Sequence, residues 1–179
     1  MSGDVSKVLV TEEEIREICS RLGKQISEDY SGKKLLLVSV LKGAVVFMAD
    51  LMREITCDCE IDFMAVSSYS GAKTTGVVKF KKDLDVNPDG CDILLVEDIL
   101  DSGITLAYLK KVLMDRNAAS IKVCAFLDKP ANRQADISAD YVGKVIPDEF
   151  VIGYGLDYNE KYRNLPYVGV LDPKVYSDK

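Results

Sequence analysis

One stretch restricts the possible folds more than any other: Leu-Leu-Val-Glu-Asp-Ile-Leu-Asp-Ser-Gly-Ile-Thr-Leu, from Leu94 to Leu106. An apolar run ends at Glu97-Asp98, a second apolar pair follows, and Asp101-Ser102-Gly103-Ile104-Thr105 opens a new apolar-periodic segment. That order reads as a buried parallel strand, a tight loop and a helix start. The loop stacks backbone N–H groups at a helix N-terminus, where the partial positive charge favours a phosphate. Gly103 allows close approach of backbone to ligand, while Ser102 and Thr105 bring hydroxyl donors. Glu97, Asp98 and Asp101 beside an anion site make electrostatic sense once a sugar and a metal ion are added. Ribose hydroxyls need acceptors, and Mg²⁺ bridging a polyphosphate prefers oxygen ligands and retained water. Taken alone, Asp101-Ser102 also fits a plain helix N-cap with solvated acids around it.

The rest of the chain alternates strands with helices, which argues for an α/β fold on a parallel sheet. Thr11 caps a helix running to about Tyr30, with Glu14 completing a capping box and Ile15, Ile18, Leu22 and Ile26 as its apolar stripe. Leu35 to Leu41 is a buried strand, followed at Lys42-Gly43 by a helix to about Glu54. Ile61 to Val66 alternates as a strand, and Ser67 to Gly76, rich in Ser, Gly and Thr, reads as a mobile hairpin or lid before a short strand at Val77 to Phe80. Asn87 to Gly90 is a turn; a helix from Thr105 to about Arg116 and strands at Ile121 to Leu127, Tyr141-Val142 and Val151-Ile152 follow. In such a sheet, ligands bind beyond the carboxyl ends of the strands. Lys42-Gly43, Ser67-Ser68-Tyr69, Glu97-Asp98 and Lys129 each follow an apolar strand, so they should converge on one rim. Individually, Lys42-Gly43 also suits an ordinary loop, Lys129 a solvated surface position, and Phe150 to Gly155 a packed core segment.

Composition narrows the chemistry. A length of 179 residues fits one domain, residues 1–179, with a substantial core. The net charge of −6 disfavours a nucleic-acid partner. No apolar run approaches the ~20 residues needed to span a bilayer, and the N-terminus lacks a signal pattern, so a cytoplasmic setting is expected. Five scattered cysteines and no histidine make a zinc site improbable and favour free thiols in a reducing compartment. Without histidine, proton work falls to carboxylates and lysines. A local group of Lys42, Lys129 and Arg163, with Mg²⁺, could hold an anionic substrate on an acidic protein.

The paired acids, the aspartate at the fourth position after them and Ser-Gly-x-Thr resemble the 5-phosphoribosyl-1-pyrophosphate (PRPP) signature of type I phosphoribosyltransferases. Leu41-Lys42-Gly43, Ser67 to Gly71, Lys129 and the block Phe150 to Arg163 extend the likeness from Leu36 to Leu171. Over that span the chain resembles the hypoxanthine-guanine branch of the family in its compact bacterial form. The resemblance implies a parallel twisted sheet flanked by helices, with a small hood and a mobile lid loop. It also implies residue roles. Phe150 would stack on the purine, the Val151 backbone would meet the ring's hydrogen-bonding edge, and Lys129 would donate to a 6-oxo group. Asp101 would accept the proton at N7. Lys42, Gly43 and Arg163 would neutralise pyrophosphate, and Ser102, Gly103, Ile104 and Thr105 would cradle phosphate. Glu97 and Asp98 would hold ribose hydroxyls and Mg²⁺-bound waters, Asp157 would bind a second Mg²⁺, and Ser68-Tyr69 would close over the reacting carbon. Ile104 departs from the Lys, Arg or Asn that relatives often carry there: if it faces ligand, a polar contact is lost, and if it faces the core, nothing is.

These implications amount to purine salvage: a base plus PRPP giving IMP or GMP and pyrophosphate, in a homodimer or homotetramer. One rival is a PRPP-sensing regulator that binds nucleic acid, which needs a basic face. The other is an enzyme preferring xanthine, which the residues near Val151 and Asp157 leave open.

Overall fold

The computed structural model describes residues 2–68 and 78–177. In chain order the elements are β1 (Val5–Val10), α1 (Glu12–Asp29), β2 (Leu35–Leu41), α2 (Val45–Glu54), β3 (Cys59–Ser68), β4 (Val78–Lys82), β5 (Asp92–Leu100), α3 (Ile104–Met114), β6 (Ser120–Asp128), β7 (Tyr141–Val145), β8 (Val151–Ile152) and β9 (Val168–Leu171). A six-stranded sheet in the order β4-β3-β2-β5-β6-β7 is parallel except at its edge, where β4 runs antiparallel to β3. A three-stranded antiparallel sheet, β1-β9-β8, forms the hood.

Side-chain alternation sorts the central strands onto two packing faces. Leu35, Leu37, Leu94, Val96, Cys124 and Phe126 join Leu22, Ile26, Phe47 and Leu51 of α1 and α2. Their chain neighbours Leu36, Val38, Ile93, Leu95, Val123 and Ala125 join Leu106, Leu109 and Leu113 of α3. Burial on both faces is why β2, β5 and β6 read as continuous apolar runs. The α1 start is as expected: Thr11 Oγ1 accepts from Glu14 N–H (3.2 Å) and Glu14 Oε2 accepts from Thr11 N–H (2.8 Å).

Two expectations need correction. Glu97 and Asp98 do not lie in a loop after a short strand; β5 continues through them to Leu100, because β6 pairs with it as far as Leu100↔Asp128. The second helix begins at Val45, leaving Lys42 and Gly43 in the preceding turn. Strands β1 and β9 were not legible at all. The stretch read as a lid, including Tyr69, lies outside the described residues, as does the side chain of Ser68. Among the described residues, no helix is long and apolar enough to cross a membrane.

The chain crosses from β2 to β3 on one side and from β5 to β6 and β7 on the other. The crevice where these directions diverge lies beyond the carboxyl ends of β2 and β5, where open α/β sheets bind ligands. Strand β2 leaves β5 after Ser39↔Val96, so on that flank β5 is unaccompanied from Glu97 onward.

Candidate active site

The loop from β5 to α3 is built as an anion cradle. Gly103 occupies the N-cap of α3 in a left-handed conformation (φ 76°), with no side-chain cap hydrogen bond. Asp101 and Ser102 are therefore not the helix cap that their sequence also allowed. A Cβ at Gly103 would fall 2.5 Å from Ile137 Cγ2, so the close approach itself demands glycine. Ile104 is 49 % exposed at the first turn, so it does not face the core. Its amide, with that of half-buried Thr105, belongs to the unpaired first turn of the helix.

Glu97 and Asp98 stand where β5 loses its β2 neighbour. Glu97 Oε2 is buried without a hydrogen-bond partner among the described residues. Burial, then the neighbouring Asp98 charge, pushes the Glu97 carboxyl well above the ordinary range. Burial likewise pushes Asp98 up to about 6, against the pull of the Ile99 amide on its Oδ1 (2.8 Å). Two adjacent carboxyls raised by desolvation, one with an orphaned oxygen, suit a hard cation that supplies the missing counter-charge. Among the described residues no three His, Cys, Asp or Glu side chains converge as metal ligands, and Asp157, expected at a second Mg²⁺, has protein partners of its own. It is ion-paired with Arg163 (2.7 Å) and accepts from the Glu160 amide (2.9 Å). Mg²⁺ is commonly held by one or two carboxylates plus substrate phosphate and water, so the donor set fits that ion without a cage.

The hood loop descends onto the turn after β2. A Cβ at Gly43 would lie 1.7 Å from Asp98 Oδ2, and one at Gly155 would lie 2.0 Å from the Gly43 carbonyl oxygen. The Gly43 and Gly155 backbones and the Asp98 side chain meet there without room for a methyl group. The hood is anchored beside this point by Tyr154, whose ring packs 4.9 Å from Phe126 and whose hydroxyl donates to Asp50 Oδ2 (2.8 Å). Arg163 donates to the Gly155 carbonyl (2.7 Å), and Lys42 Nζ pairs with Glu160 (3.0 Å). The cations expected to meet pyrophosphate thus form a network with Asp157 and Glu160. Gly155→Ala, at φ +96°, should destabilise the fold by about 1–3 kcal/mol, the usual cost of overpacking. A melting temperature equal to that of the parent protein would contradict this contact.

At the other end of the crevice, Lys129 is 8 % exposed. Its Nζ lies 2.8 Å from Asp148 Oδ1 and 3.7 Å from Asp101 Oδ2, and it donates to the Glu149 carbonyl (3.3 Å). Lys129 therefore belongs to the site and not to the solvated surface. Its hydrogen bond holds the Asp148 carboxyl below the usual range. Asp101 Oδ1 is buried and unpartnered among the described residues. Phe150 is 43 % exposed, with Tyr158 edge-on at 5.7 Å and Tyr176 stacked at 5.4 Å. Val151 lies in β8, which is an edge of the hood sheet, so one side of its backbone has no strand neighbour.

An apolar ring, an open backbone edge, a lysine, an acid and an amide cradle thus lie along one crevice. Residues 8–159 match the family described as phosphoribosyl transferase domain. The chain is 51% identical over 179 residues to the hypoxanthine-guanine phosphoribosyltransferase of Staphylococcus aureus (strain Mu50 / ATCC 700699), covering 99% of this chain and 100% of that protein. The chain belongs to the hypoxanthine-guanine phosphoribosyltransferase family.

A crystal structure of a hypoxanthine phosphoribosyltransferase from Staphylococcus aureus superposes with a TM-score of 0.96 at 51% identity, covering 99% of this chain and 97% of that one. The bifunctional protein TilS/HprT of Listeria monocytogenes (serotype 4b, strain F2365) is 50% identical over 99% of this chain, which spans only 28% of that protein's length. Within this phosphoribosyltransferase fold, sequence reasoning missed Asp148, Tyr158 and Tyr176, which set the surroundings of Lys129 and Phe150, and Arg133, which underlies the phosphate loop. An acid two residues before Phe150 was the available signal for Asp148; Tyr176 carried none, being placed by a turn at the far end of the chain.

Proposed function

We propose that this chain transfers the 5-phosphoribosyl group of PRPP to hypoxanthine or guanine, giving IMP or GMP and pyrophosphate, as a purine-salvage glycosyltransferase. The observation that carries the reading is the placement of Lys129 Nζ 3.7 Å from Asp101 Oδ2 and 3.3 Å from the carbonyl of Glu149, the residue before Phe150. A purine stacked on Phe150 with its edge on the Val151 backbone would bring its 6-oxo group to the Lys129 ammonium, a donor that an exocyclic amine cannot satisfy. As the base forms its bond to the ribose carbon and the bond to pyrophosphate breaks, Asp101 accepts the proton from N7. The amides of Ser102 to Thr105 hold the 5-phosphate, Glu97 and Asp98 orient the ribose hydroxyls, and Lys42, the Gly43 amide and Arg163 take up charge on the departing pyrophosphate. Mg²⁺, when bound, adds charge neutralisation on the polyphosphate. Asp157, paired with Arg163, would hold a second Mg²⁺. Ser68 and Tyr69 complete the reading as the groups that exclude water, since hydrolysis of PRPP is the competing reaction. The reading extends to a cytoplasmic homodimer or homotetramer; the free thiols of Cys19, Cys57, Cys59, Cys91 and Cys124 support a reducing compartment.

Pyrophosphate release measured with a panel of bases tests the reading. Hypoxanthine and guanine should turn over, while adenine, uracil and orotate should give negligible rates. Comparable turnover of adenine would remove Lys129 as a 6-oxo donor, and a rate confined to xanthine would reassign the base.

A further inference from the structure

We propose that Arg133 is a positioning residue that aims the phosphate-binding amides of the β5–α3 loop. The inference rests on the reading of that loop as the seat of the 5-phosphate. Arg133 follows a short 3₁₀ turn, Pro130–Asn132, that brings the chain back beneath the end of β5. Its Nε donates to the Asp101 carbonyl (2.8 Å), its Nη2 to the Leu100 carbonyl (3.0 Å) and to the Asp128 carboxylate, and its Nη1 to the Ile137 carbonyl (2.7 Å). The next two amides continue the pattern, Gln134 N–H and Ala135 N–H both donating to the Ser102 carbonyl (2.9 and 3.1 Å). The carbonyls of three consecutive residues, Leu100, Asp101 and Ser102, are thus captured by one segment.

A trans peptide unit carries its N–H opposite its C=O. Capturing those carbonyls therefore turns the N–H groups of Asp101, Ser102 and Gly103 to the opposite side of the loop, and the last two of these belong to the phosphate cradle. An extended strand would alternate successive amides between its two edges; here they are enlisted together, which makes an anion-binding concavity. Carbonyl oxygens drawn to one place repel each other unless a donor sits among them, and a planar guanidinium offers forked donors that a lysine ammonium lacks. The absent side chain at Gly103 completes the fit: a Cβ there would lie 3.1 Å from Arg133 Cδ. Each guanidinium nitrogen of Arg133 is engaged by a protein oxygen, so Arg133 acts through the loop and not on the phosphate itself.

Nucleotide and nucleoside binding separate this role from simple scaffolding. IMP carries the 5-phosphate and inosine does not, so the ratio of their dissociation constants reads the phosphate cradle alone. In Arg133→Lys the preference for IMP over inosine should fall about tenfold or more, the scale of losing a charge-assisted hydrogen bond, with inosine affinity unchanged. Arg133→Ala should lose more, and millimolar guanidinium should restore part of the IMP affinity. An unchanged preference, or IMP and inosine weakened in parallel, would overturn the proposal whatever happens to the melting temperature. If the alanine variant does not fold, the lysine variant decides alone. Failure of the parent protein to bind IMP would instead refute the functional reading.

Discussion

Asp101→Asn should lower kcat by about 10²–10⁴-fold, the range associated with losing general-base assistance, while the dissociation constant for PRPP changes little. The variant is informative because the loop does not depend on the carboxylate. The helix is started by Gly103 without a side-chain cap, and the Asp101 backbone is held through its carbonyl by Arg133. Asparagine keeps the shape and removes only the basic oxygen that faces Lys129 at 3.7 Å. The loss should appear in single-turnover experiments where chemistry limits the rate. A kcat within about threefold of the parent, well short of that range, would reduce Asp101 to a loop residue.

Removing divalent cations should abolish turnover altogether, and adding Mg²⁺, or less specifically Mn²⁺, should restore it. The expectation comes from β5 itself. The Glu97 carboxyl has a buried oxygen with no partner among the described residues, and burial raises both it and Asp98. Such a pair is uncomfortable as dianions and useless as neutral acids; a cation resolves both problems. Assays in excess chelator, followed by titration of Mg²⁺, make the measurement. Undiminished PRPP turnover in chelator would leave these acids without a role in charge balance.

What could be read from the residues depended on whether the signal was local. The α1 start was legible because Thr11 and Glu14 satisfy each other within one turn, and β2 and β6 were legible because burial on both faces leaves continuous apolar runs. In the hood, β8 was legible as the apolar pair Val151-Ile152, but β1 and β9 were not, because β1 finds its partner about the whole chain away and its mixed exposure carries no alternation. At Glu97 and Asp98 charge interrupts an apolar run and so reads as a loop, yet pairing with β6 keeps them extended. Ile104 posed a choice of ligand or core that only the helix's orientation could decide, and its exposure excludes the core. Lys129 and Phe150 were ambiguous individually because each position has a common bland explanation; the topology brings both to the same crevice. Arg133 had no local signature, since its partners are backbone carbonyls.

Strand β5 is hydrogen-bonded to β6 as far as Leu100 but to β2 only as far as Val96. Its last residues therefore share the cooperativity of the sheet on one flank and face the crevice on the other. Displacing Glu97 or Asp98 means separating β5 from β6, an event close to global unfolding, whereas exposed turns open by local fluctuations of smaller free energy. Amide exchange along this strand should track the global stability even while the surrounding loops exchange freely. The protein thus places the acids that must keep their geometry where moving them would cost the sheet itself.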